Sequence, residues 1–121
     1  MSARIWLRRA YEQPTRNDGC RVLVDRIWPR GVSKDDAAID WWARDLAPSD
    51  DLRRWFRHDP HRWGEFHRRY RIELDDHADT LEALSDRVAQ GRVTLVYAAR
   101  DRQHNNAVVL RDVLEQRRAV S

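Results

Sequence analysis

Asp25, Arg26, Trp28 and Arg30 stand within six residues of one another, directly after the apolar run Val22-Leu23-Val24. Closely spaced carboxylate and guanidinium groups can bind an anion, or they can tie a loop down through ion pairs. Pro29 removes a backbone donor and pushes Trp28 toward an extended conformation, and Gly31 permits positive φ. A second polar cluster, Arg100-Asp101-Arg102-Gln103-His104-Asn105-Asn106, follows the run Val93 to Ala99. His104 is the candidate catalytic residue, as a proton carrier. No serine, cysteine or threonine nucleophile is spaced beside it. The candidate ligand-binding set is Asp25, Arg26, Trp28, Arg30, Arg100, Asp101, His104 and Asn105.

The elements that must position these groups are two buried strands. Val22–Val24 and Val93–Ala99 are β-branched and aliphatic, which suits strands over about 21–27 and 93–99. If these two are parallel neighbours, their carboxyl ends bring both polar clusters together, at the edge where ligands bind in open α/β sheets. A helix expected from near Arg102, with Asp101 as N-cap, would aim its free N–H groups at the same space. Cys20 falls at the opposite, amino edge and reads as an incidental thiol.

A first strand is expected over residues 4–10. Ser33 with Asp36 resembles a capping box, so a short helix is expected near Lys34. Ile39, Trp42 and Leu46 predict a helical stretch over about 40–46. Ser49 is the expected N-cap of a helix carrying Leu52, Trp55 and Phe56. Asp59 and Pro60 start the next one, in which Trp63, Phe66, Tyr70 and Leu74 share a face. Asp79 with Glu82 predicts a fresh start near 76–79, and Gly91 a stop. Ala107, Leu110 and Leu114 form the inward face of a last helix. The pattern predicts a single α/β domain over 1–121: a small parallel or mixed sheet of about three strands covered by several helices.

Composition bounds the partners. Of 121 residues, 41% are hydrophobic and 36% charged, which is globular with a heavily charged surface. Net charge is +3, too small to argue nucleic-acid binding alone, although all but one of the 23 basic residues are arginine. Arg53 to Arg71 interleaves seven arginines with Trp55, Phe56, Trp63, Phe66 and Tyr70. That mixture can serve single-stranded nucleic acid, but the aromatics fall at core spacing, so nucleic acid is not the expected partner. The acidic stretch from Glu73 to Asp86 can neutralise those arginines within the fold or across a homodimer. His61 and Glu65 are four residues apart without a His-Glu-x-x-His pattern, so no metal is expected, and no cofactor signature is present. A lone cysteine excludes an intramolecular disulfide. No apolar run is long enough for a membrane span, and Met1–Trp6 lacks the apolar core of a signal peptide; the expected location is cytoplasmic.

Four ordered blocks carry a resemblance: Val24–Gly31, Asp45–Ser49, Trp55–Pro60 and Tyr97–Ala107. Together they resemble the bacterial domain-of-unknown-function family number 488, in its small YeaO-like branch, over about residues 4–116. Ile27 stands where many members carry leucine. The resemblance implies a cytoplasmic α/β domain and assigns no activity or functional residue. On the residues themselves, the expected function is a site for a small anion bearing phosphate or carboxylate, at the carboxyl ends of the second and third strands. The alternatives are a nucleic-acid-associated module using the Arg53–Arg71 face and a non-catalytic partner-binding protein.

Overall fold

The computed structural model describes residues 4–120. Four strands, β1 (Ile5–Arg9), β2 (Cys20–Leu23), β3 (Trp41–Trp42) and β4 (Val93–Tyr97), form one sheet in the order β1-β4-β2-β3. Every pairing is parallel. The helices are α1 (Lys34–Ala37), α2 (Asp50–Phe56), α3 (Trp63–Asp75), α4 (Ala78–Gln90) and α5 (Asn106–Val120). The α/β architecture expected from sequence is present, with four strands rather than about three.

A parallel sheet must be covered on both faces, and strand alternation assigns the residues. Val22, Val24, Val93, Leu95 and Tyr97 enter the main core with Phe66, Tyr70, Leu84 and Leu110 from the helices. Leu23 and Val96 point the other way. They form a smaller cluster with Ala10, against which Trp28, Ile39 and Trp42 pack. On that second face Thr94 donates from Oγ1 to the Asp18 carbonyl at 2.6 Å. Beside it the buried Asp18 pairs with the buried Arg21 at 2.7 Å.

The expected helix over 40–46 is not formed. Asp40 N–H donates to the Arg21 carbonyl, Asp40 Oδ2 accepts from Arg21 N–H, and Ala43 N–H donates to the Leu23 carbonyl. These bonds make 41–42 the edge strand β3, and a 3-10 turn over Arg44–Leu46 follows. Trp41 packs on the main core and Trp42 on the smaller one, the two-sided use a strand gives adjacent residues. Tertiary pairing therefore overrode a helical spacing of three residues that was too sparse to bind it.

The caps at Ser33, Ser49 and Asp59 form as expected, each side chain accepting from a backbone N–H of the following turn. The element opened by Asp59 and Pro60 is a 3-10 turn, Pro60–Arg62, that leads into α3. Asp79 does not cap α4; it lies in the first turn, and His77 is at the N-cap position.

Candidate functional site

β2 and β4 are adjacent and parallel, so their carboxyl ends open on one side of the molecule. A cavity of about 640 Å³ lies there. One wall comes from the segment after β2: Asp25, Arg26, Ile27, Trp28, Pro29 and Arg30. The opposite wall follows β4, with Ala98, Ala99, Arg100 and Asp101, and includes Asn105 and Asn106 at the start of α5. Pro48, Arg53, Phe56, His58 and Phe66, from around α2 and α3, complete it.

Local chemistry explains each position. Trp28 donates from Nε1 to the Val32 carbonyl at 2.7 Å and meets Trp42 edge-on at 5.5 Å. The Trp42 indole in turn donates to the Asp25 carbonyl at 2.8 Å. These contacts fix the 25–32 turn, in which Gly31 takes φ +80. Tyr11 adds a bond to the Arg30 carbonyl, while the Arg30 side chain projects from the turn, exposed and without a carboxylate partner among the described residues. Arg100 is likewise exposed and has no ion-pair partner among them. Arg26 is tied to the Pro48 carbonyl and, more loosely, to Asp50, which Arg53 also holds at 2.8 Å. Arg57 and His58 both adopt left-handed backbone, φ +50 and +55, costly for residues with a Cβ. That turn sets the His58 imidazole on the cavity wall.

Asp25 is the carboxylate of the floor. Its Oδ2 accepts the Ala98 N–H at 2.9 Å and its Oδ1 the Asn106 carboxamide at 3.1 Å. Burial pushes its carboxyl above the ordinary range, against the pull of those two hydrogen bonds and of His58 and Arg53. Asp101 behaves oppositely. The Gln103 N–H and the His104 ring hold it below the ordinary range.

Seven of the eight expected ligand-binding residues line this cavity: Asp25, Arg26, Trp28, Arg30, Arg100, Asp101 and Asn105. His104 does not. Its Nδ1 lies 2.9 Å from Asp101 Oδ2, and its ring sits edge-on to Trp63 at 5.2 Å, outside the wall. Asp101 is not the N-cap of the last helix. It accepts from Gln103 and His104 N–H in a preceding turn, and α5 begins at Asn106 rather than near Arg102. Asn105, 2% exposed, takes the cap: its Oδ1 accepts the Val108 N–H at 3.1 Å, and its Nδ2 donates to the Asp101 carbonyl. Asn105→Ala should therefore destabilise the fold by about 1–2 kcal/mol and more than Asp101→Ala, by urea unfolding. The reverse order would return the cap to Asp101.

Cys20 lies at the amino end of β2, opposite Val93 in register, with Arg87 Nη1 3.3 Å from its sulfur. Burial pushes its thiol up, away from the reactive thiolate. Among the described residues no group of His, Cys, Asp and Glu side chains has an arrangement that could hold a metal ion. No helix there is long and apolar enough to cross a membrane. Arg53, Phe56, His58, Phe66 and Asn106 escaped the sequence reading as site residues. Phe56 and His58 sit in the Trp55–Pro60 block and Asn106 in the Tyr97–Ala107 block, and their place in those blocks was the available signal.

The family model for the inactive DUF488-N3 subclade matches residues 4–121. The uncharacterized protein Rv3073c of Mycobacterium tuberculosis is 44% identical over 114 residues, spanning 94% of this chain and 96% of its own length. The uncharacterized protein YeaO of Escherichia coli is 37% identical over 110 residues, spanning 91% of this chain and 96% of its own. No solved structure matches.

Proposed function

The chain belongs to the DUF488-N3 family, in the subclade described as inactive, and from that premise we propose that it binds a small organic anion in the cavity at the carboxyl ends of β2 and β4. The observation that carries this reading is the pair Arg30 and Arg100. Both stand at the cavity wall with no carboxylate among the described residues to neutralise them, in a molecule where many arginines are paired. Phe56, Phe66, Trp28 and Pro48 give the same cavity apolar walls, so the ligand carries an apolar body as well as charge. Among the described residues no serine, threonine, cysteine or lysine lines it.

The nucleic-acid alternative draws less support. Phe56, Phe66 and Tyr70 are buried, leaving no row of free rings on which bases could stack. Arg68 and Arg69 are spent on Glu65, and Arg62 and Arg69 lie over Trp55.

Thermal shift and calorimetry with inorganic phosphate and phenyl phosphate test the proposal. Phenyl phosphate should stabilise the protein more than phosphate does. Arg30→Ala and Arg100→Ala should each weaken it about ten-fold, with stability unchanged within about 0.5 kcal/mol. Wild type that responds to neither anion would overturn the proposal, as would variants that bind undiminished.

A further inference from the structure

Asp25 and Asn106 set hydrogen-bond acceptors side by side on the cavity lining. Asn106 uses both hydrogens of its Nδ2, one on the Val24 carbonyl at 2.8 Å and one on Asp25 Oδ1. The carboxamide orientation is thereby fixed, and Oδ1 of Asn106 has no donor among the described residues. An ionised carboxylate offers about four acceptor positions, and protein donors fill one on each oxygen of Asp25. Both side chains line the cavity and keep acceptor capacity, and they meet at 3.1 Å, Asn106 Nδ2 to Asp25 Oδ1. A ligand that covers this half-buried carboxylate without bringing a donor leaves its remaining acceptor positions unfilled, which is costly. The ligand that suits the floor carries two adjacent N–H groups.

Apolar side chains complete the lining: Trp28, half-buried, and the buried Phe56 and Phe66. The unpaired guanidinium groups belong to the rim. A donor edge, a planar body and a terminal anion, in that order, describe a purine nucleotide of the guanine type. Adenine offers an amino group beside a ring acceptor, which would face Asp25 with like polarity. Resting on the anion-site reading above, we propose that the ligand is a guanine nucleotide. Its N1–H and N2–H groups meet Asp25 and Asn106, and its phosphate meets Arg30 and Arg100. The cavity volume of about 640 Å³ falls within the range of about 300–1,000 Å³ usual for sites of small organic ligands.

Calorimetric titration of the unaltered full chain with GMP, IMP, AMP, phenyl phosphate and inorganic phosphate tests it without relying on any variant. GMP should bind at least about ten-fold more tightly than IMP, which lacks the second donor, and than AMP. Asp25→Ala, checked for folding by circular dichroism, should abolish the preference for GMP over phenyl phosphate, and a folded variant that keeps that preference would overturn the guanine assignment. Equal affinity of wild type for GMP, AMP and phenyl phosphate would overturn the guanine assignment and leave the anion site standing. Failure of every phosphate to bind would overturn both.

Discussion

Asp18→Ala should cost the fold about 3–5 kcal/mol in urea unfolding, the loss expected when one partner of a buried ion pair is removed. Asp18 is fully buried and Arg21 is 3% exposed. One carboxylate oxygen accepts Arg21 Nη1 at 2.7 Å and the Thr15 N–H at 3.0 Å. The other accepts the Thr15 hydroxyl and lies 3.5 Å from Arg8. Without the carboxylate a guanidinium remains beneath the second face of the sheet with a single acceptor, the Ala37 carbonyl. Arg21 Nη2 already has no protein acceptor there. The exposed pair Asp51–Arg54 provides the control, since Asp51→Ala should change stability by less than about 0.5 kcal/mol.

The same carboxylate sets a pH dependence with a definite sign. Burial alone would raise its pKa, but the Thr15 and Arg21 hydrogen bonds and Arg8 outweigh it and hold it below the ordinary value. Its contribution is therefore present above about pH 4, the unfolded value, and is lost as pH falls through the lower folded value. Asp25 has the opposite sign. Its folded pKa is raised, so its contribution is full below the unfolded value and is lost as pH rises through the folded one. Wild type should lose stability on acidification below pH 4, and Asp18→Ala should show a shallower loss. An acid limb of the same depth in Asp18→Ala would assign the dependence to other carboxylates.

These two aspartates mark how far the residues alone could be read. Val93–Tyr97 was legible because a short run dominated by β-branched and aliphatic residues suits a strand buried on both faces. Asp25 was legible as a site residue because it follows such a strand at once. Asp18 was not, since its neighbours Asn17 and Gly19 are ordinary turn residues, and only Arg21 and Thr94, brought over it by the sheet, make it a core group. Trp41 and Trp42 looked like part of a helix because a two-residue strand leaves almost no periodicity to detect. The far wall of the cavity was illegible for a related reason. Phe56 reaches it from the last turn of α2, and His58 through two successive left-handed residues, Arg57 and His58 itself, neither of them glycine. No local propensity announces that turn; packing imposes it.

Phe66→Ala should remove about 3–5 kcal/mol of stability, the usual range for deleting a buried aromatic ring. Spacing with Trp63, Tyr70 and Leu74 marked Phe66 as core, and the residue is 2% exposed. Its ring stacks on Phe56 at 4.2 Å and on Trp63 at 5.7 Å, and it lies 5.7 Å from Tyr70, whose hydroxyl donates to the Leu46 carbonyl. The ring thus joins α2 to α3 and, through Tyr70, to the segment after β3. Phe66 also closes the cavity on the core side. Truncation should both leave a void between the helices and enlarge the site toward the core. Phe66→Leu refills most of that volume and should lose markedly less, while Ile72→Ala on the exposed side of α3 should stay within about 0.5 kcal/mol. Urea midpoints at constant m-value give the comparison. A ligand that rests its apolar body against Phe56 should bind Phe66→Ala less well than Phe66→Leu, because the support behind the Phe56 ring is gone. Phenyl phosphate titrations of the two variants read that difference directly. If both bound it as wild type does while differing in stability as expected, Phe66 would be a core residue alone, and the ligand would sit wholly on the arginine rim.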